Sequence, residues 1–210
     1  RHPDLEKTFP GARRRAQDDF EYLLRLCVVA AAPGGKPWLA HGVWRMGDTI
    51  FRSGYSSSFM LNTYTELTKA ALKALDRPSR AVLGPHLEEA VHVVSAFAEI
   101  AEKTAEIVPP VVAKAQSAHG DVFTRYPMAR EKAERDMQFV LRYAALASME
   151  GGEERVNRML RDFAEVIGKA GFGAPLMSSV LTGVLEESKA HLSRATRKQM
   201  QPALERIVNY

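Results

Sequence analysis

The chain has 210 residues, 46% of them apolar, and a formal net charge of +4, the profile of a globular protein large enough to bury a real core. So small and dispersed an excess argues against a nucleic-acid partner, since Arg13-Arg14-Arg15 is only a local basic knot. The single cysteine, Cys27, excludes an internal disulfide framework and fits a reducing compartment, and no stretch approaches the ~18 apolar residues of a membrane span.

Residues 9–93 align with residues 126–210 without a gap, so each predicted element is met twice. Identity holds at 21 of those 85 positions, against roughly one in seventeen expected from average composition. Helix is predicted nearly everywhere. In the second copy, Met137, Val140, Leu141, Ala144 and Ser148 recur at three- and four-residue steps, the stripe of an amphipathic helix. Gly151-Gly152, matched by Gly34-Gly35, is expected to stop it, because glycine takes the left-handed conformation of a C-terminal cap.

A second helix follows, with Val156, Leu160, Phe163 and Ile167 on one side, and ends at Gly171. Ala174-Pro175 opens the third, and Ser56-Ser57-Ser58 supplies capping hydroxyls at the matching place. The third runs to Leu75 and Leu192, after which Asp76 and Ser193 can cap the fourth, and Pro85 and Pro202 are expected to kink it. Residues 88–116 read as more helix, interrupted at Pro109-Pro110. Little alternates with period two, so β structure should be negligible. The second copy has a long lead-in and the first almost none, which predicts further residues upstream of Arg1.

Catalytic constellations are thin. The six histidines are scattered without an i, i+4 pair, which speaks against a histidine-ligated metal, and Cys27 on an apolar stripe reads as a small core residue. A non-enzymatic role is expected. One cluster stands out on the opening helix of the second copy: Lys132, Arg135, Asp136, Phe139, Arg142 and Tyr143. A carboxylate flanked by arginines and rings can cradle a flat molecule bearing N–H groups and propionates; the same pattern also suits the charged edge of an amphipathic helix. Trp38, Trp44 and Phe51 face Arg155, Arg161 and Gly168 in the other copy, so a core role common to both copies does not explain them. They are expected to be interface anchors.

The run Ala133-Glu134-Arg135-Asp136-Met137-Gln138-Phe139-Val140-Leu141-Arg142-Tyr143, then Gly151-Gly152 and the Gly171/Pro175 break, resembles the central helices of phycobiliproteins, the globin-like antenna subunits of phycobilisomes. That family's signature is a cysteine, any residue, Arg-Asp, aromatics and Leu-Arg ahead of a Gly-rich break. The resemblance covers residues 95–210 and extends weakly, through the repeat, to residues 9–93. Departures matter. Where the bilin-bearing cysteine should stand, this chain has Ala133 and Ala16, so neither place can form the thioether. Asp18 replaces the arginine expected to hold a propionate in the first copy, although Asp19 keeps the carboxylate.

The resemblance implies an all-α protein of globin-like, phycobiliprotein-like helical units in tandem: an abbreviated unit over residues 1–93 and a second, with lead-in helices, over residues 94–210. It implies a colourless structural or accessory part of a phycobilisome-type light-harvesting assembly, with other helical subunits as partners. Neither nucleic acid nor membrane insertion is expected, and the place implied is the cytoplasm, at the cytoplasmic face of a photosynthetic membrane. Two alternatives stand beside it: a globin-like sensor or carrier holding a bilin or other tetrapyrrole non-covalently at the Lys132–Tyr143 cluster, and a chaperone- or lyase-like factor for apo-phycobiliproteins.

Overall fold

The computed structural model describes residues 7, 10–53, 56–169 and 174–208, and among these every regular element is a helix. In chain order they are α1 (Ala12–Ala30), α2 (Lys36–Ser53), α3 (Ser57–Ala74), α4 (Arg77–Ala118), α5 (Gly120–Arg125), α6 (Ala129–Ala144), α7 (Gly152–Lys169), α8 (Ala174–His191) and α9 (Arg194–Val208). The predicted all-α class is what the chain adopts. Among the described residues no helix is long and apolar enough to cross a membrane.

Helix starts follow the aligned copies. α1 and α6, α3 and α8, and α4 and α9 each begin 117 residues apart, and α2 and α7 begin 116 apart. The punctuation matches too. Gly11 and Met128, 117 apart, both take positive φ (78° and 59°) just before α1 and α6. Ser56 caps α3 by accepting from the Phe59 N–H, Asp76 caps α4 from Ser79, and the Ser193 hydroxyl accepts from Thr196 at the start of α9.

The Gly-Gly pairs do a different job from the helix stop expected of them. α1 ends at Ala30 and α6 at Ala144, several residues earlier, and Ser148 lies exposed beyond the helix whose stripe it was expected to share. Gly34 and Gly151 supply positive φ (76° and 84°) in the turn that follows. A Cβ on Gly35 or Gly152 would fall 1.7 Å from the Val29 carbonyl oxygen or 2.0 Å from that of Leu146, so no side chain fits at either second position. The end expected at Gly171 lies outside the described residues.

A second expectation fails more plainly. Pro109-Pro110 does not interrupt the segment between the copies, because α4 runs unbroken for 42 residues through Pro85, Pro109 and Pro110. Each proline forfeits one backbone hydrogen bond and crowds the carbonyl four residues back. Those carbonyls belong to Ala81, Ala105 and Glu106, all exposed residues, so water can serve the freed acceptors. Burial of Ile107, Val108, Val111 and Val112 around the proline pair holds the helix together.

That long helix is the spine of the fold. Leu87, Val93, Val94, Phe97, Ile100 and Val112 are wholly buried along it. α1, α2 and α3 pack on it from the N-terminal side of the chain, and α6, α8 and α9 from the C-terminal side. A single apolar cluster therefore runs from Phe20 to Leu204.

Candidate functional site

Two grooves open where α6 meets its neighbours. The first, about 320 Å³, lies between α5, α6, α7 and α8, and its walls are mainly apolar: Val122, Phe123, Met137, Phe163, Leu176 and Val180. The second, also about 320 Å³, lies between α6 and α7 and carries the polar groups Arg155, Arg158 and Asp162 beside Phe139, Tyr143 and Met159. Lys132, Asp136, Phe163 and Val166 line both, so the two grooves adjoin across these four side chains, one greasy and one charged, and together make up the α6–α7 trough.

The predicted cluster is partly assembled here. Lys132 and Asp136 stand at the junction, and Phe139 and Tyr143 line the charged end with ring centroids 4.7 Å apart. Asp136 has no hydrogen-bond or salt-bridge partner among the described residues. Burial pushes its carboxyl above the ordinary value, against the pull of Lys132 and Arg135. Arg135 is exposed and lines neither groove. Arg142 leaves the trough altogether: its guanidinium pairs with Asp48 of α2 and lies 4.9 Å from the centre of the Phe51 ring and 5.6 Å from that of Phe139. Ala133 lines the apolar end.

Sequence reasoning missed α7's contribution. Arg155, Arg158 and Asp162 recur at steps of three and four on its polar edge, a signal present in the sequence but not distinguishable there from a solvated face. Arg155 donates a hydrogen bond to His41 Nδ1 at 2.7 Å, while Arg158 pairs with Glu154 at 3.2 Å. Among the described residues no group of three His, Cys, Asp or Glu side chains is placed to hold a metal ion.

The three aromatic residues expected at an interface separate. Trp38 is 63% exposed. Trp44 and Phe51 instead pack against the core, with the Trp44 ring 5.5 Å from that of Tyr143. Both lie at the seam between α2 and α6, with the Arg142 guanidinium over the Phe51 ring.

A smaller groove of about 290 Å³ lies on α1, α2 and α3, lined by Asp19, Tyr22, Arg45, Met46, Thr49, Met60 and Tyr64. Shifted by 117, the first six of these become Asp136, Phe139, Asp162, Phe163, Val166 and Met177, all of them walls of the larger trough. Burial also pushes Asp19 above the ordinary carboxyl value, as it does Asp136. Comparison with known protein families, with curated proteins and with solved structures gives no match to this chain.

Proposed function

We propose that this chain is a non-enzymatic helical binding protein, built as two related units, whose α6–α7 trough holds an elongated ligand non-covalently. The ligand class is an apolar, flat or linear molecule with N–H donors and carboxylate arms, and a bilin fits that description. The adjoining apolar and charged grooves carry this reading. The apolar end suits a ring system, Asp136 lacks a partner of its own and can accept N–H groups, and Lys132, Arg155 and Arg158 can meet carboxylates. Ala133 supplies no thiol, so attachment there is non-covalent. The matched helix starts and the matched groove over Asp19 support descent of the two units from one helical ancestor.

The test is titration of the purified protein with biliverdin, followed by absorption and by quenching of tryptophan fluorescence. Saturable binding with altered visible bands is expected, weakened by Phe163→Ala and by Asp136→Asn, with no added mass after denaturation. Absence of any spectral change at saturating biliverdin would overturn the bilin assignment. A second reading, an accessory subunit of a larger helical assembly, is favoured by Trp38, Val28 and Val29, which stay exposed on α1 and α2. Size-exclusion chromatography with candidate helical subunits, before and after Trp38→Ala, tests it.

A further inference from the structure

The end of α8 and α9 as far as Leu204 line a groove of about 390 Å³ that shares no residue with the trough. Lys189, Arg194, Arg197 and Lys198 all line it, and no acidic side chain does. Among the described residues none of the four is in a salt bridge. The nearby Glu186 is engaged by Lys114 at 2.7 Å. Arg197 spends one N–H on the Lys189 carbonyl at 2.8 Å, which fixes the guanidinium and leaves its other donors.

A second observation is independent of the charges. Ser188, another residue of this groove, is 1% exposed, and its Oγ has no hydrogen-bond partner. Buried hydroxyls are normally satisfied, so one left open beside four cations calls for an acceptor from outside the chain.

The first copy provides an internal control. Shifted by 117, Ser188, Lys189, Lys198 and Gln201 become Ala71, Leu72, Ala81 and Gly84. There the Leu72 side chain lies 3.6 Å from where a Cβ on Gly84 would stand, so a leucine occupies the matching space. Of the cations only Arg77 and Arg80 remain, and Arg80 donates to the Leu75 carbonyl at 3.1 Å. The hairpin of helices alone does not create an open basic groove.

We propose that this groove binds a small organic phosphate, a phosphomonoester or diphosphate joined to an apolar or ring-shaped body. Arginine forks and lysine ammonium groups match phosphate oxygens, and the Ser188 hydroxyl donates to the acceptor they bring in. Leu185 and Leu204 give the body an apolar wall. A concave site of this volume suits a small molecule, whereas nucleic acid asks for an extended basic stripe.

Isothermal titration of the full chain at low salt, with sodium pyrophosphate and with ADP as probes, tests the proposal. Saturable binding of either is expected, weakening as salt rises. Arg194→Ala combined with Lys198→Ala should raise Kd roughly tenfold or more while the melting curve stays put, since both side chains are exposed. Ser188→Ala should raise Kd without loss of stability, because it removes an unsatisfied hydroxyl. No binding of either probe at millimolar concentration, or equal affinity in the double variant, would overturn the proposal. So would sedimentation with phosphatidylcholine vesicles containing phosphatidic acid when neither soluble probe binds.

Discussion

Arg142 of α6 reaches across the molecule to Asp48 of α2, and the two form an ion pair whose side chains are only 14% and 22% exposed. Arg52 approaches the other Asp48 oxygen at 2.9 Å, so one carboxylate is shared by two guanidinium groups. Phe51 lies under Arg142, and Trp44 meets Tyr143 on the same seam. The residues expected to recognise a ligand or a partner therefore serve, in part, to fasten α2 to α6.

Asp48→Asn should destabilise the chain. It strips the counter-charge from a half-buried Arg142 and leaves Arg52 close to it, a loss of about 1–3 kcal/mol. For a chain of this size that lowers Tm by roughly 2–4 °C per kcal/mol. Urea denaturation measures it directly. In a double-mutant cycle with Arg142→Met, the two losses should be less than additive, and full additivity would show that the pair contributes nothing.

The tryptophans should behave oppositely. Trp44→Ala opens a cavity against Tyr143 and is expected to cost about 3–5 kcal/mol. Trp38→Ala, on an exposed ring, should stay within about 0.5 kcal/mol of the parent stability. If Trp38 docks a helical partner, its truncation typically costs ~2 kcal/mol or more of binding. Melting curves for both variants decide the first two points, and a Trp44→Ala protein as stable as the parent would defeat the seam assignment.

Asp136→Asn separates stability from binding. Burial raises this carboxyl, so the folded state holds its proton at pH values where the unfolded chain has released it. Stability contributed by the group is thus present below the unfolded value of about 3.9 and is lost as pH rises through the folded one. At neutral pH the asparagine variant should melt higher than the parent while holding biliverdin more weakly. That advantage should shrink as pH falls toward about 4. A lower melting temperature at pH 7 would show that the carboxylate is satisfied after all.

Much of this fold was legible because its signals are local and repeated. Ser56, Asp76 and Ser193 cap as polar side chains before an apolar run should, and the 117-residue register put each helix start within one residue of where its partner lay. The continuity of α4 was not legible. Proline rules count the lost hydrogen bond, but they cannot see that Ile107, Val108, Val111 and Val112 around the proline pair are buried. The site was half legible for a related reason. Asp136, Phe139 and Tyr143 follow from one helix face, whereas Arg155 and Asp162 join them only once α7 is folded back on α6, and the same folding draws Arg142 away to Asp48.

His41 should give the fold a mild acid sensitivity. Its Nδ1 accepts from Arg155, and burial together with Arg155 and Arg45 holds its pKa below the ordinary value. The unfolded chain binds this proton more readily. Its contribution is therefore complete above the unfolded pKa of about 6.5 and is lost as pH falls through the lowered folded one. His41→Asn keeps an acceptor for Arg155 without titrating, so its melting temperature should fall less than the parent's between about pH 7.5 and about pH 5.5. Parallel pH curves for the two proteins would exclude His41 as the source.

Cys27 should be inert in the folded chain. It is wholly buried on α1, and burial, with the nearby Glu89 charge adding to it, pushes its thiol up to about 12. The thiolate is the reactive species, so at about pH 8 only about one molecule in ten thousand carries it. An Ellman reagent must also wait for α1 to lift away from the core, so labelling should follow the rate or population of unfolding. Native protein should therefore label slowly and incompletely, while the chain in denaturant should release one thiol equivalent at once. Incubation with a bilin should leave the native mass unchanged for the same reason. Rapid, stoichiometric labelling of the native protein would place Cys27 at an accessible, electropositive surface. It would also make this residue, not Ala133 or Ala16, the position at which a covalent ligand has to be sought.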